Sequence, residues 1–271
     1  MGDDFINILN KILKIKHNKT IEPPEPIIPD ISENDITNLE PYDKDWQKYI
    51  KYYEERCIPS RKTTAEITLI VISDTHNQLS AEAAEKLIPI TNKGVDACLL
   101  LGDISLSDMY LLSKILPLDK TYGVLGNHDT FSLYDKNGIK NINTKAVLIN
   151  NGIYISGMQG SIKYKVWEHP SFTQKESILA ASKTPPSDIL ITHDIPYLST
   201  RTCNIVHKGL VGITKYLFDN QVPINIHGHL HEDSIEILPN NTISIGVYGI
   251  SIIKIRDGEP SIEKIPFKQN Q

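Results

Sequence analysis

The segment Ile67-Thr68-Leu69-Ile70-Val71-Ile72 runs six residues without a charge, every side chain β-branched or aliphatic. A strand with one wet face alternates apolar and polar residues, so an unbroken run marks a strand covered on both faces. That requirement points to a layered fold, with helices or a second sheet on each side. Further apolar runs stand at Ala97–Leu101, Thr121–Val124, Ala146–Ile149, Ile153–Ser156, Ile189–Thr192, Ile224–His227, Ser234–Leu238, Thr242–Gly246 and Ile250–Ile255. Helical patterns lie between several of them, at about Ser80–Ile90, Asp108–Ile115, Thr173–Ala181 and Leu210–Asp219. Strand–helix alternation early and hairpin-like strands late predict a mixed α/β fold with more than one sheet.

Before residue 65 the character differs. Phe5, Ile6, Ile8, Leu9, Ile12, Leu13 and Ile15 share one helical stripe flanked by Lys11, Lys14 and Lys16, so residues 1–20 read as an amphipathic helix. Such a helix packs on its own domain or a second copy, or else docks on a partner or a membrane surface. Residues 21–64 open with Glu22-Pro23-Pro24-Glu25-Pro26, an extended linker, and continue to an aromatic stretch. That stretch, with Trp46, Tyr49, Tyr52 and Tyr53, is expected to form a helix docked on the main domain, residues 65–271. A chain of 271 residues accommodates one substantial domain with such an appendage.

Charge and cysteines narrow the setting. A formal net charge of -5 supplies no global basic field for nucleic acid, leaving only a local groove open to it. The three cysteines form no C-x-x-C pair, and Asp3 and Asp4 stand where a signal peptide carries positive charge. Ile6 occupies the place where a myristoylation signal prefers Ser or Thr. No stretch approaches the ~20 apolar residues that a membrane-spanning helix needs. A cytoplasmic protein with reduced thiols is expected.

The chemistry sits at the strand ends. Asp74 and His76 follow the first strand, Gly102-Asp103 the second, and Gly126-Asn127-His128-Asp129 the third. His193-Asp194 follows Ile189–Thr192, and Gly228-His229-Leu230-His231 follows Ile224–His227. In α/β sheets, sites gather beyond the carboxyl ends of the strands, so these loops can converge. Their Asp, His and Asn side chains suit manganese, iron, cobalt, nickel or zinc better than an all-oxygen calcium or magnesium cage. Alternation within Asp74-Thr75-His76 and His229-Leu230-His231 lets one extended segment offer two ligands on one side. The lone carboxylate of Asp103 on a glycine turn suits a ligand that bridges two ions. Singly, each motif is ordinary turn chemistry, and His17 and His169 are left as such; the ordered set is not.

This set, D-x-H, G-D, G-N-H-D, H and G-H-x-H in order, resembles the calcineurin-like metallophosphoesterase superfamily over about Ile67–Ile255. The resemblance implies a four-layer α/β sandwich, two mixed β-sheets flanked by helices. It implies two divalent transition-metal ions, with manganese favoured and iron, zinc, nickel or cobalt as alternatives. Asp74, His76 and His231 would hold the first, Asn127, His193 and His229 the second, and Asp103 would bridge them. His128 would stabilise the phosphoryl group or protonate the leaving group, with Asp129 orienting it. A phosphate ester would be attacked by water activated between the ions.

Departures from subfamilies bear on the substrate. Gly102-Asp103-Ile104-Ser105-Leu106-Ser107-Asp108 lacks the Arg that protein phosphatases carry after the bridging Asp. Leu106 stands where purple acid phosphatases place a metal-binding Tyr. What remains resembles compact phosphodiesterases acting on a small diester such as a cyclic nucleotide. A nuclease, a phosphomonoesterase and a partner-binding scaffold of the same fold are the alternatives. Arg201, His207 and Lys208 are candidate contacts for substrate phosphate, and Ser161–Pro170, with Tyr164 and Trp167, a candidate pocket wall or lid. The N-terminal helix is a candidate surface for a second copy or another partner.

Overall fold

Strand β1 (Ile67–Ser73) pairs in parallel with β2 (Ala97–Leu100) and antiparallel with β13 (Gly249–Arg256). In this structure, a computed structural model, residues 25, 40–63, 66–164, 170–201 and 205–268 are described. With β3 (Thr121–Gly123), β4 (Lys140–Asn141) and β14 (Glu259–Ile265) they form a six-stranded sheet in the order β14-β13-β1-β2-β3-β4. The second six-stranded sheet joins β5 (Ala146–Leu148), β6 (Tyr154–Met158), β9 (Ile189–Thr192), β10 (Ile224–His227), β11 (Ser234–Ile237) and β12 (Ile243–Gly246). Its order is β11-β12-β10-β9-β6-β5. The small strands β7 (Ser161–Ile162) and β8 (Ser171–Phe172) form a separate ribbon.

The run at β1 is unbroken because each face has its own cover. Leu69 and Val71 meet Leu99, Ile191 and Ile226 in the core between the sheets. Ile70 and Ile72 pack under helices of the outer layer, with Met109 and Leu112 of α4 (Leu106–Leu112). On the far face of the second sheet, Leu190 and Met158 lie under α6 (Gln174–Lys183) and α7 (Val211–Asp219), with Ile178, Ile213 and Leu217. The layers run helix, sheet, sheet, helix.

Helix α1 (Glu40–Glu54) joins that last layer through Trp46, Tyr49, Ile50 and Tyr53, all buried. The expected helix at residues 1–20 lies outside the described residues, as does the proline linker apart from Glu25.

Two helices differ from the sequence expectation. The pattern at Ser80–Ile90 splits into α2 (Ala81–Glu85) and α3 (Ile88–Lys93), with Pro89 in the first turn of the second. Proline lacks an N–H and clashes with the preceding turn, so it starts a helix where it cannot continue one. Helix α4 begins two residues before the expected start because the Ser105 hydroxyl accepts the Asp108 N–H at 3.1 Å and caps it. The remaining α5 (Leu133–Lys136) is one short turn. Strands β4, β7, β8 and β14 carried no sequence signal recognised above; the first three span two residues each.

Candidate metal centre

Parallel pairing carries the strand ends to one place. β1, β2 and β3 run parallel in the first sheet, and β6, β9, β10 and β12 in the second. The loops after β1, β2, β3, β9 and β10 therefore meet at one end of the sandwich. Asp74, His76, Asp103, His229 and His231 all take positive φ, between 45° and 70°. Such backbone costs energy for non-glycine residues and clusters at functional sites. Glycine makes the loops close: a Cβ on Gly126 would stand 2.1 Å from Asp103 Oδ1, and one on Gly228 2.5 Å from Asp74 Oδ2.

The hydrogen-bond partners fix which ring nitrogens face the centre. His193 Nδ1 lies 2.8 Å from the Leu101 carbonyl oxygen, so Nδ1 carries a proton and Nε2 is the nitrogen turned to the centre. Nε2 faces the Asn127 Oδ1 acceptor at 3.0 Å and Asp103 Oδ2 at 3.5 Å. His229 Nε2 lies 3.0 Å from the Val206 carbonyl oxygen, which leaves Nδ1 as its free donor atom toward a ligand. His76 Nε2 and His231 Nε2 stand 3.0 Å apart, at 3.8 and 3.5 Å from Asp74 Oδ1. Asp74 Oδ1 is buried and accepts no hydrogen bond. Imidazole nitrogens gathered around a buried carboxylate oxygen that accepts no hydrogen bond suit a cation. Two sets, Asp74-His76-His231 and Asp74-Asp103-His193, bring their ligand atoms within 4.8 Å of one another.

The carboxylates and imidazoles of the centre are strongly coupled. Burial works to raise the Asp74 carboxyl, but the His231 and His193 rings, the Ser73 hydroxyl and the His229 N–H outweigh it and hold it at about 2. The charges of Asp103 and Asp74 raise His193 against the opposing effect of burial. Asp74 likewise raises His231, whereas burial lowers His76.

Around this centre the other expected residues fall in different roles. His128 is exposed, its ring centroid 5.7 Å from that of His76, and its N–H donates to Asp103 Oδ1 at 2.8 Å. Asp129 is buried, and burial with the Asp103 charge raises it to about 7. Its carboxylate accepts the N–H groups of Gly126, Asp103 and Ile104 at 2.7, 2.9 and 3.2 Å, which ties the second loop to the third. Those bonds engage backbone, where an orienting contact to the His128 ring was expected.

Of the substrate candidates, only His207 lies against the centre, its ring centroid 5.5 Å from that of His229. Arg201 is held by Glu236 at 2.6 Å and by the Pro196 carbonyl, and Lys208 by Asp43 at 3.0 Å. The pairings with Glu236 and Asp43 reach distant parts of the chain and turn both cations away from the free role expected of them. Tyr164 Oη accepts the Asn127 amide N–H at 3.5 Å; Trp167 lies outside the described residues. One neighbour was missed: Tyr248 stacks on His231, ring centroids 5.3 Å apart and 16° from parallel. It follows β12 as the ligand loops follow their strands, and that position was its only signal.

The model of the calcineurin-like phosphoesterase family matches residues 67–233, more than half of the 271-residue chain. The chain belongs to this family. Its fold is similar to that of TT1561 of Thermus thermophilus, with a TM-score of 0.57 at 15% identity over 74% of this chain and 100% of that one. At that identity the likeness shows the fold. A phosphopantetheinyl hydrolase of Mycobacterium tuberculosis is more distant, with a TM-score of 0.47 at 15% identity over 69% of this chain and 91% of that one. No curated protein matches the sequence. Membership in the family brings phosphoester hydrolysis and divalent metal, for which the Asp and His groups above are candidates. Among the described residues, no helix is long and apolar enough to cross a membrane.

Proposed function

We propose that this calcineurin-like phosphoesterase hydrolyses a small phosphodiester, such as a cyclic nucleotide, with two divalent cations, manganese favoured. Asp74, His76 and His231 would hold one ion, Asn127, His193 and His229 the other, and Asp103 would serve both. The observation that carries this reading is His193 Nε2 directed at the Asn127 and Asp103 oxygens, 3.0 and 3.5 Å away. In the neutral ring Nε2 is an acceptor facing acceptors, and a cation held among them relieves the repulsion. The mixed nitrogen and oxygen donors suit a first-row transition metal.

When bound, such ions supply Lewis acidity toward a phosphoryl oxygen and acidify water. The chain's own groups do the rest. His128, exposed beside His76, is positioned to hydrogen-bond the phosphoryl group or to give a proton to the departing alkoxide. Asp129, by binding three backbone amides, holds Asp103 and the Asn127 loop in register. Leu101 and Val206 set the ring faces of His193 and His229. His207, its ring beside that of His229, is a candidate contact for the substrate phosphate.

The net charge of -5 supports a small substrate over a nucleic acid. Full retention of the ligand set supports an enzyme over a scaffold. The test is a panel in manganese of a diester, a monoester, cyclic nucleotides and single-stranded DNA, with Asp103→Asn as blank. Turnover of a small diester above the others is expected. Preference for single-stranded DNA or a monoester would reassign the substrate, and absence of all turnover would leave the scaffold.

A further inference from the structure

Helix α1 precedes the residues that the family model matches, yet it grips the segment closing one side of the centre. Asp43 pairs with the Lys208 ammonium at 3.0 Å and accepts the Tyr197 hydroxyl at 2.6 Å. At the other end of the helix, Glu54 accepts the Ser199 N–H at 2.9 Å and its hydroxyl. Lys208 is only 5% exposed, and it also donates to the Arg201 carbonyl at 2.8 Å. A buried ammonium needs an anion, and here α1 supplies it.

The segment so held does specific work at the site. Val206, two residues from Lys208, presents the carbonyl that takes the His229 Nε2 proton at 3.0 Å. His207, between them, sets its ring against that of His229. A helix that only covered apolar surface would need its aromatic stripe alone. This one also sends a carboxylate from each end into the same loop.

We infer that α1 is part of the metal-binding apparatus: Asp43, acting through Lys208, is a positioning residue that keeps the Val206 carbonyl on His229 and so fixes which nitrogen His229 presents. The inference rests on His229 being a ligand, as proposed above. It also places the start of the working unit before residue 65, at α1.

The test uses the full chain, stripped with chelator and titrated with manganese by calorimetry. Wild type should show two sites. Asp43→Asn should weaken one about 10- to 100-fold, the range usual for partners that orient a ligand, and spare the other. Asp43→Glu, which keeps the charge, should recover most of the loss. In metal-free protein, imidazole ¹⁵N–¹H spectra should show His229 protonated at Nε2 in wild type and as a tautomer mixture in Asp43→Asn. Trp46→Phe, which trims the aromatic stripe of the same helix and leaves both carboxylates, should lower the melting temperature without changing either site. If Asp43→Asn does not fold, Asp43→Leu with Lys208→Met removes both charges together and is expected to show the same selective loss.

Two unchanged sites in Asp43→Asn, or in the double variant where the single one fails to fold, overturn the inference. So does an equal loss in Trp46→Phe. A wild type that takes up no manganese is a different failure, because it removes the metal reading of the centre along with this one.

Discussion

His193 Nε2 and Asn127 Oδ1 face each other 3.0 Å apart. The Leu101 carbonyl, 2.8 Å from Nδ1, keeps the imidazole proton on the other side of the ring. Under the proposed reading, these two atoms would share one cation.

Asn127→Ala removes one of the two facing groups and should cut manganese uptake from about two equivalents to one, because Asp74, His76, His231 and Asp103 would still hold the other ion. Elemental analysis of the dialysed variant checks this. Retention of both equivalents would take Asn127 out of the ligand set.

His128→Ala should behave differently. Its tie to Asp103 runs through the backbone N–H, which alanine keeps, so metal content should stay as in wild type. Turnover should fall by about 10²–10⁴-fold, the usual contribution of a proton donor in the transition state. A fully active variant removes the role assigned to His128.

In the core, Leu99 lies on β2 between β1 and β3 and packs into the space between the sheets. Strands on either side leave little room for collapse, so Leu99→Ala should cost about 2–5 kcal/mol in urea unfolding. A loss under about 1 kcal/mol would mean that this core is looser than its packing indicates.

Cys98 tests burial by chemistry. Desolvation pushes its thiol up to about 12, so almost no thiolate exists at neutral pH. Thiol reagents at about pH 8 should spare Cys98 in native protein and modify it after denaturation, as peptide mapping can follow. Fast native labelling at Cys98 would show that the outer layer opens.

The strand-end chemistry was legible because it is written in residue types: Asp74, His76, Asp103, Asn127, His193, His229 and His231 each follow an apolar run, and the structure gathers those loops. The long strands were legible for the same reason, since double-sided burial leaves no polar gap. Strand β14 was not. Its exposed, charged face hides the alternation, although Asp257-Gly258, both at positive φ, is a hairpin signal of the strongest kind. Pro89 and Ser105 also carried readable information, a helix start and a cap. The carbonyls of Leu101 and Val206 had no signature, because every residue has one and only the fold selects which is used. Arg201 and Lys208 misled because a lone cation in a loop says nothing of an acid far along the chain, such as Glu236 or Asp43.

Manganese titration of chelator-stripped protein, with hydrolysis of a small diester followed in the same samples, reaches the central claim most directly. Two equivalents should bind, and turnover should rise as both fill and vanish on chelation. Protein that takes up no manganese, or that hydrolyses the diester equally well in excess chelator, contradicts it.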